Sequence, residues 1–409
     1  MKPLLITMGS RGDVQPYLAL AKGLNEAGHQ PLVAGPRRFQ PVADEHGIDY
    51  APLPDEMLDL QDAVKGRGAR AAITAARSVK PMIRRLLDAQ AALVERGGEV
   101  VVHHPKSLGG PYVAEKLGVP AIAGLLLPLY LPTAEFASPI LPARLPRAFN
   151  RASWRIAAAV EAPYRGMARR WRTEALGLDA GFRPVADLVR AGAVLHAWSP
   201  SLLPAPADWP ASAEPVGFWT IPPAADWSPP DELAAFLDRG DPPVYVGFGS
   251  MVTGDPEALA ATVLEAVRRC GRRAVLATGW GGLRSAARAA DVLMIEEAPH
   301  DWLFPRVAAV VHHGGIGTVA AALRAGVPQV VRPFLGDQPF WAARLHRLGI
   351  APAPLAGRRF TADALATAIT EAIASAPAAR TLGERVAGED GIAAAIAGIE
   401  RLARRERSG

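Results

Sequence analysis

The stretch whose residue types and spacing most invite a chemical reading is AVVHHGGIGTVAAALRAGVPQVV, Ala309 to Val331. A run of small β-branched residues ends in two histidines, a glycine-rich turn follows, and an alanine-rich helical pattern follows that. Three chemistries suit such a stretch. A metal is the first, but His312 and His313 are neighbours at a strand end and point to opposite faces. Zinc needs three or four convergent ligands, and no third ligand stands at metal spacing. A dinucleotide is the second: Gly315-Ile-Gly317-Thr-Val-Ala320 satisfies G-x-G-x-x-G/A, with Asp337 about twenty residues on. That fingerprint normally opens the first βαβ unit of its domain, and this one falls late in the second half. A diphosphate carrying another group is the third, and it needs the fewest exceptions. Gly314, Gly315 and Gly317 let main chain approach a phosphate, and the following helix offers unpaired N–H groups and a positive dipole end. Thr318 adds a hydroxyl and His312 an imidazole donor. A tight turn alone would explain the glycines but not the histidines and threonine beside them.

These groups need elements to hold them. PLLITMG reads as a buried strand, VQPYLALAKGLNEAGH as a helix and QPLVAG as a second strand, and the same grammar recurs through EVVVHHP, GGPYVAEKLG and VPAIAGLLL. Strands alternating with helices predict parallel sheets with helical crossovers. Between Ser199 and Glu232 proline becomes too dense for helix or sheet interiors. The grammar then restarts at PPVYVGFGS and runs through PQVVRPF. The expected architecture is α/β, with two Rossmann-like parallel-sheet domains facing a cleft. The first spans 1–205, a proline-rich linker 206–232, the second domain 233–390 and a C-terminal tail 391–409. Ligands in such sheets sit at the carboxyl ends of strands.

Bulk properties agree with two globular domains: 409 residues, half of them hydrophobic and 21% charged. The net charge of +5 is modest for this length, and no nucleic-acid motif accompanies it. Cys270 is the single cysteine, which excludes an internal disulfide framework and fits a reducing compartment. The opening MKPLLITMGSRGD is too short in apolar residues for a signal peptide, and VPAIAGLLLPLYLP is too short to span a bilayer. A soluble, cytoplasmic protein is expected.

HHGGIGT, followed by RAGVPQVVRPFLGDQPFWAARLHRLGI, resembles the donor-binding signature of inverting, nucleotide-sugar-dependent glycosyltransferases of the GT-B fold. The branch it is most similar to contains sterol glucosyltransferases and bacterial enzymes that glycosylate antibiotic aglycones. APHDWLFPRV, YVGFGSM, TGWGGL and, near the start, GSRGDVQPYLALAKGLNEAGH belong to the same resemblance. It implies transfer of a hexose, glucose above all, from a UDP-sugar or TDP-sugar to a hydroxyl of a lipophilic small molecule. It implies no metal and no cofactor beyond the nucleotide sugar.

The resemblance assigns roles. Asp13, which by itself reads as a cap of the helix beginning near Val14, becomes the general base for the acceptor hydroxyl. Ser10, Arg11 and Gly12 line its loop. Ser250 contacts the diphosphate together with His312, Gly314, Gly315, Gly317 and Thr318. Asp337 and Gln338 match a pair that binds sugar hydroxyls, while Ala298, His300 and Trp280 border the base. Glu297 stands where plant-type relatives carry a tryptophan and Ala320 where they carry a glutamate, which leaves UDP against TDP open. His104, Lys106, Thr133 and Phe136 are candidate walls for the acceptor. Ala143–Arg172 interleaves eight arginines, among them Arg144, Arg147, Arg151, Arg155, Arg169, Arg170 and Arg172, with Phe149, Trp154 and Trp171. It reads as a solvated arginine face, or as peripheral contact with an anionic membrane. Three rival functions remain: an NAD-dependent oxidoreductase using Gly315–Ala320, a nucleotide-sugar epimerase of the same architecture, and a catalytically inactive binding protein that keeps the fold.

Overall fold

The computed structural model describes residues 1–64, 68–141, 145–178, 181–222, 227–249, 256–278 and 291–407. The chain forms two compact units, Met1–Ile221 with Asp390–Gly409, and Pro222–Glu389.

The first unit is built on seven strands: β1 Pro3–Ile6, β2 Leu32–Pro36, β3 Tyr50–Leu53, β4 Val100–His103, β5 Ala121–Leu125, β6 Ala193–His196 and β7 Ala213–Pro215. Their order is β3-β2-β1-β4-β5-β6-β7, with every pairing parallel. Short apolar runs form these strands because both faces are covered. Leu5 belongs to one buried cluster, with Val14, Leu18 and Val102, while Leu4 and Ile6 belong to another, with Val101 and Val113. The chain enters at β1, winds outward to β3, then crosses to β4 on the other side. The loops after β1 and β4 therefore diverge from one switch point, with Ile6 beside His103.

The second unit repeats the plan with β8 Val244–Gly247, β9 Ala274–Ala277, β10 Val292–Ile295, β11 Ala309–His312 and β12 Gln329–Val331. The order is β10-β9-β8-β11-β12, all parallel, so the switch falls between β8 and β11, where Gly247 pairs with His312. Val244 and Val246 face one buried cluster and Tyr245 the other.

Two segments differ from the sequence expectation. Within the proline-rich stretch, Ala213–Pro215 is the edge strand β7, a position where proline removes no ladder bond that an inner strand would need. The segment expected as a tail is a helix, Gly391–Arg407, whose Ala395 and Ile399 lie in the first unit's core with Leu18 and Leu24. His29 Nε2 and Glu400 Oε1, 3.0 Å apart, tie that helix to the other end of the sequence. Among the described residues, no helix is long and apolar enough to cross a membrane.

Candidate active site

At the first switch point the helix Arg11–Glu26 begins immediately after β1 and Gly9. Gly9 has φ +119°, and a Cβ there would stand 2.2 Å from Asp13 Oδ2, so only glycine lets the carboxylate fold back over the turn. Asp13 is in the helix's first turn rather than before it. Its Oδ2 accepts from the Ser10 main-chain N–H at 2.8 Å and from Ser10 Oγ at 3.1 Å. The capping role that the sequence suggests for Asp13 is thus exercised from within the helix's first turn. Ser10, Arg11 and Gly12 are exposed around it, while Asp13 is 9% exposed.

Because β4 lies beside β1, the segment following β4 reaches the same carboxylate. Lys106 Nζ is 2.8 Å from both Asp13 oxygens. His104 Nε2 stands 3.4 Å from Oδ1, a long polar contact rather than an aligned hydrogen bond. The Lys106 main-chain N–H donates to His104 Nδ1 at 3.2 Å, which places the ring proton on Nε2, toward Asp13. Burial favours the neutral acid at Asp13, but Lys106 and then His104 outweigh it and hold the carboxyl well below the usual range. His104 is fully buried and burial keeps it neutral, its pKa lowered against the pull of Asp13. His104 and Lys106, expected along an acceptor wall, are the immediate partners of Asp13.

Thr133 and Phe136 are placed differently. Thr133 Oγ1 donates to Asp208 Oδ1 at 2.7 Å, and the Phe136 ring packs against Trp154 and Trp209 at 6.0 and 6.3 Å.

The second switch point holds most of the other candidates. His312 is fully buried: its Nδ1 accepts from the Gly314 N–H at 3.1 Å, so its Nε2 donates to Gln329 Oε1 at 3.0 Å. Both nitrogens are used within the protein. The imidazole expected to meet a phosphate is instead an anchor for the turn. His313 projects the other way, its ring nearly perpendicular to that of His312 and close to Gly249 at the tip of β8. Its Nδ1 is buried with no partner among the described residues, and burial lowers its pKa to about 4. Gly314, at φ +92°, turns the chain so that Gly315 becomes the N-cap of the helix Ile316–Arg324. Gly317 and Thr318 lie in that helix's first turn.

Asp337 caps the helix Gln338–Arg347 and its Oδ2 accepts from Trp341 Nε1 at 2.7 Å. Gln338 Oε1 accepts from the Phe334 and Leu335 N–H groups at 2.8 and 3.2 Å, so the group it can offer a ligand is its amide NH2. His300 opens a short helix, stacks on Phe304 at 4.3 Å and meets the Tyr245 hydroxyl at 3.4 Å, with Ala298 against the same cluster. Ser250 and Trp280 lie outside the described residues. Among the described residues no three His, Cys, Asp or Glu side chains converge as a metal site.

Two doubly wound parallel-sheet units, each with polar groups gathered at its switch point, define the class of GT-B glycosyltransferase structures. VinC, a glycosyltransferase solved in complex with dTDP, superposes with TM-score 0.69 at 20% identity, covering 99% of this chain and 100% of its own. Residues 4–134 match the Glycosyltransferase family 28 N-terminal domain, and residues 282–396 the Erythromycin biosynthesis protein CIII-like C-terminal domain. Sterol 3-beta-glucosyltransferase UGT80B1 of Arabidopsis thaliana is 32% identical over 98% of the chain and 68% of its own length. The sterol 3-beta-glucosyltransferase of Aspergillus clavatus is 35% identical over 97% of the chain, which spans 29% of that relative's length. The chain belongs to the glycosyltransferase family that includes these sterol 3-beta-glucosyltransferases.

Proposed function

We propose that this chain transfers glucose from UDP-glucose, with a TDP-sugar as the alternative donor, to a hydroxyl of a lipophilic small molecule, a sterol above all, with inversion at the anomeric carbon. The observation that carries this reading is the β11 tip. There a His313 imidazole whose buried Nδ1 has no partner among the described residues, a glycine turn and a helix N-terminus stand together, a set of donors suited to a diphosphate. His313 replaces His312 as the phosphate-facing imidazole. The N–H groups opening the helix Ile316–Arg324 and the Thr318 hydroxyl take up leaving-group charge, the work a metal does elsewhere. Asp337 and the Gln338 amide bind sugar hydroxyls, and Ala298 and His300 border the base. Asp13 accepts the acceptor proton as the new C–O bond forms and the bond to the diphosphate breaks. An α-linked donor then gives a β-linked product. The glycine fingerprint follows β11 rather than β8, the first strand of its sheet, which counts against the dinucleotide reading.

Thermal unfolding against UDP, TDP and NAD, with and without EDTA, tests the donor. A ligand at a hundred times its Kd adds about 2.7 kcal/mol. Stabilisation by UDP or TDP, indifferent to EDTA, is expected; stabilisation by NAD alone would sink the reading. Asp13→Asn is expected to abolish turnover of UDP-glucose with a sterol acceptor while sparing the UDP shift.

For a lipophilic acceptor, we read peripheral contact with an anionic membrane as the place where the enzyme meets it. Phe149, which closes the short helical turn Arg147–Phe149, and Ile156, in the helix Asn150–Ala158 that follows, are 57% and 60% exposed, among exposed Arg147, Arg151 and Arg155.

A further inference from the structure

Asp13 presents a difficulty as a base. Lys106 Nζ sits 2.8 Å from both of its oxygens, on the edge where a hydroxyl would have to dock. The rest of the carboxylate is committed to the protein, with Oδ2 holding the Ser10 N–H and hydroxyl and Oδ1 facing the His104 Nε2–H. While Lys106 stays, a proton arriving on Asp13 must compete with a full ammonium charge.

Lys106 is also the most exposed member of the group: its side chain is 57% exposed, against 13% for Asp13 and none for His104. It can swing into solvent at little cost, whereas the others are fixed by their backbones. The titratable groups facing Asp13 are Lys106 and His104 from the segment after β4, and Tyr17 from its own helix. Tyr17 is buried, with its hydroxyl donated to the Gly124 carbonyl, and His104 is held neutral by burial. Lys106 is therefore the charge that sets the basicity of this carboxylate.

We propose that Lys106 is a displaceable counter-ion: the incoming acceptor hydroxyl takes its place on Asp13, and its departure turns a spectator carboxylate into the base. His104 is the positioning residue that keeps Oδ1 aimed once Lys106 has left. The proton passes from the acceptor oxygen to the carboxylate oxygen that Lys106 vacates. The buried carboxylate, relieved of the cation, then favours the protonated form. This inference rests on the reading of Asp13 as the base.

The experiment compares pH profiles of kcat and kcat/KM for the wild type, Lys106→Met and Lys106→Arg, with UDP-glucose and a 3β-hydroxysterol. Because kcat/KM reports the free enzyme and kcat the bound complex, the wild type is expected to show its kcat acid limb more than one pH unit above that of kcat/KM. In Lys106→Met the two limbs should coincide at the higher value, and Lys106→Arg should restore the separation. Coincident limbs in the wild type, or limbs unmoved in Lys106→Met, would overturn the proposal. Titration of the Asp13 carboxyl carbon by NMR, assigned with Asp13→Asn, gives a readout that needs no turnover. Its pKa should rise by more than one unit in Lys106→Met, and an unchanged titration would count against the counter-ion role even if no acceptor is turned over. Absence of turnover in every variant together with a shifted titration would fault the assigned reaction and leave the electrostatic coupling standing.

Discussion

At the residue scale, the two adjacent histidines differ in what their ring nitrogens meet: His312 is bonded at both, while the buried Nδ1 of His313 has no partner among the described residues. His312 has both ring nitrogens bonded and no exposure, so His312→Ala removes a packed ring and leaves the Gln329 amide oxygen buried without its donor. We expect a loss of about 2–4 kcal/mol from the second unit, measured by chemical denaturation. His313→Ala should leave stability close to wild type and weaken UDP by roughly ten- to a hundredfold, the worth of one hydrogen bond to a charged group. The reverse pattern by calorimetry would return the phosphate role to His312. Strand alternation makes it legible in the sequence that the two rings diverge. Which of them points inward depends on Gln329, on the neighbouring strand β12, and that pairing is a tertiary fact. The same holds for His104 and Lys106. Their chemistry was visible as residue types, but their convergence on Asp13 follows from β1 lying beside β4, across more than ninety intervening residues.

At the scale of elements, the strands were readable because each is a short apolar run between glycine or proline joints, and a parallel sheet buries both faces. The helix Gly391–Arg407 was harder to read, since its partner is the helix Arg11–Glu26, at the opposite end of the chain. The spacing of Ile392, Ala395, Ile399 and Ala403 along one helical face carries the signal, without saying what covers it. In the arginine-rich segment, burial divides what composition groups together. Trp154 and Trp171 are core residues, and Arg172 is buried in an ion pair with Glu115, so neither tryptophan faces solvent. On the surface stand Phe149, Ala152 and Ile156 with Arg147, Arg155 and an Arg151 that is paired with Asp208, and, further along, Arg165, Arg169 and Arg170. Such a face is expected to carry the protein down with phosphatidylserine vesicles at low salt, each arginine contributing about 1 kcal/mol. Phe149→Asp with Ile156→Asp should abolish sedimentation and leave the UDP thermal shift intact. Retention of the double variant on vesicles would mean that another surface makes the contact.

At the scale of the whole molecule, both units bury neutral histidines, and this sets how the protein responds to acid. Burial lowers His103 to about 4 in the first unit, and His312 and His313 to about 3 and about 4 in the second, from an ordinary value of 6.5. His196, stacked between Trp198 and Trp209, and His104 shift in the same direction. Between the folded and unfolded values the unfolded chain binds protons that the folded chain refuses. Stability is therefore complete above about pH 6.5 and falls as pH drops toward the folded values. Each histidine that stays neutral steepens the loss by about 1.4 kcal/mol per pH unit. Asp13 works in the same direction but lower down, because a depressed carboxyl keeps its contribution until pH falls below the ordinary value of 3.8. A decline beginning near pH 6.5 therefore belongs to the histidines and not to the carboxylate. Scanning calorimetry from pH 8 to 4.5 should show the unfolding of both units moving to lower temperature over that window. A transition that holds its temperature down to pH 5 would mean that the histidines accept protons in the folded state, and that their burial is relieved by local opening at the strand tips.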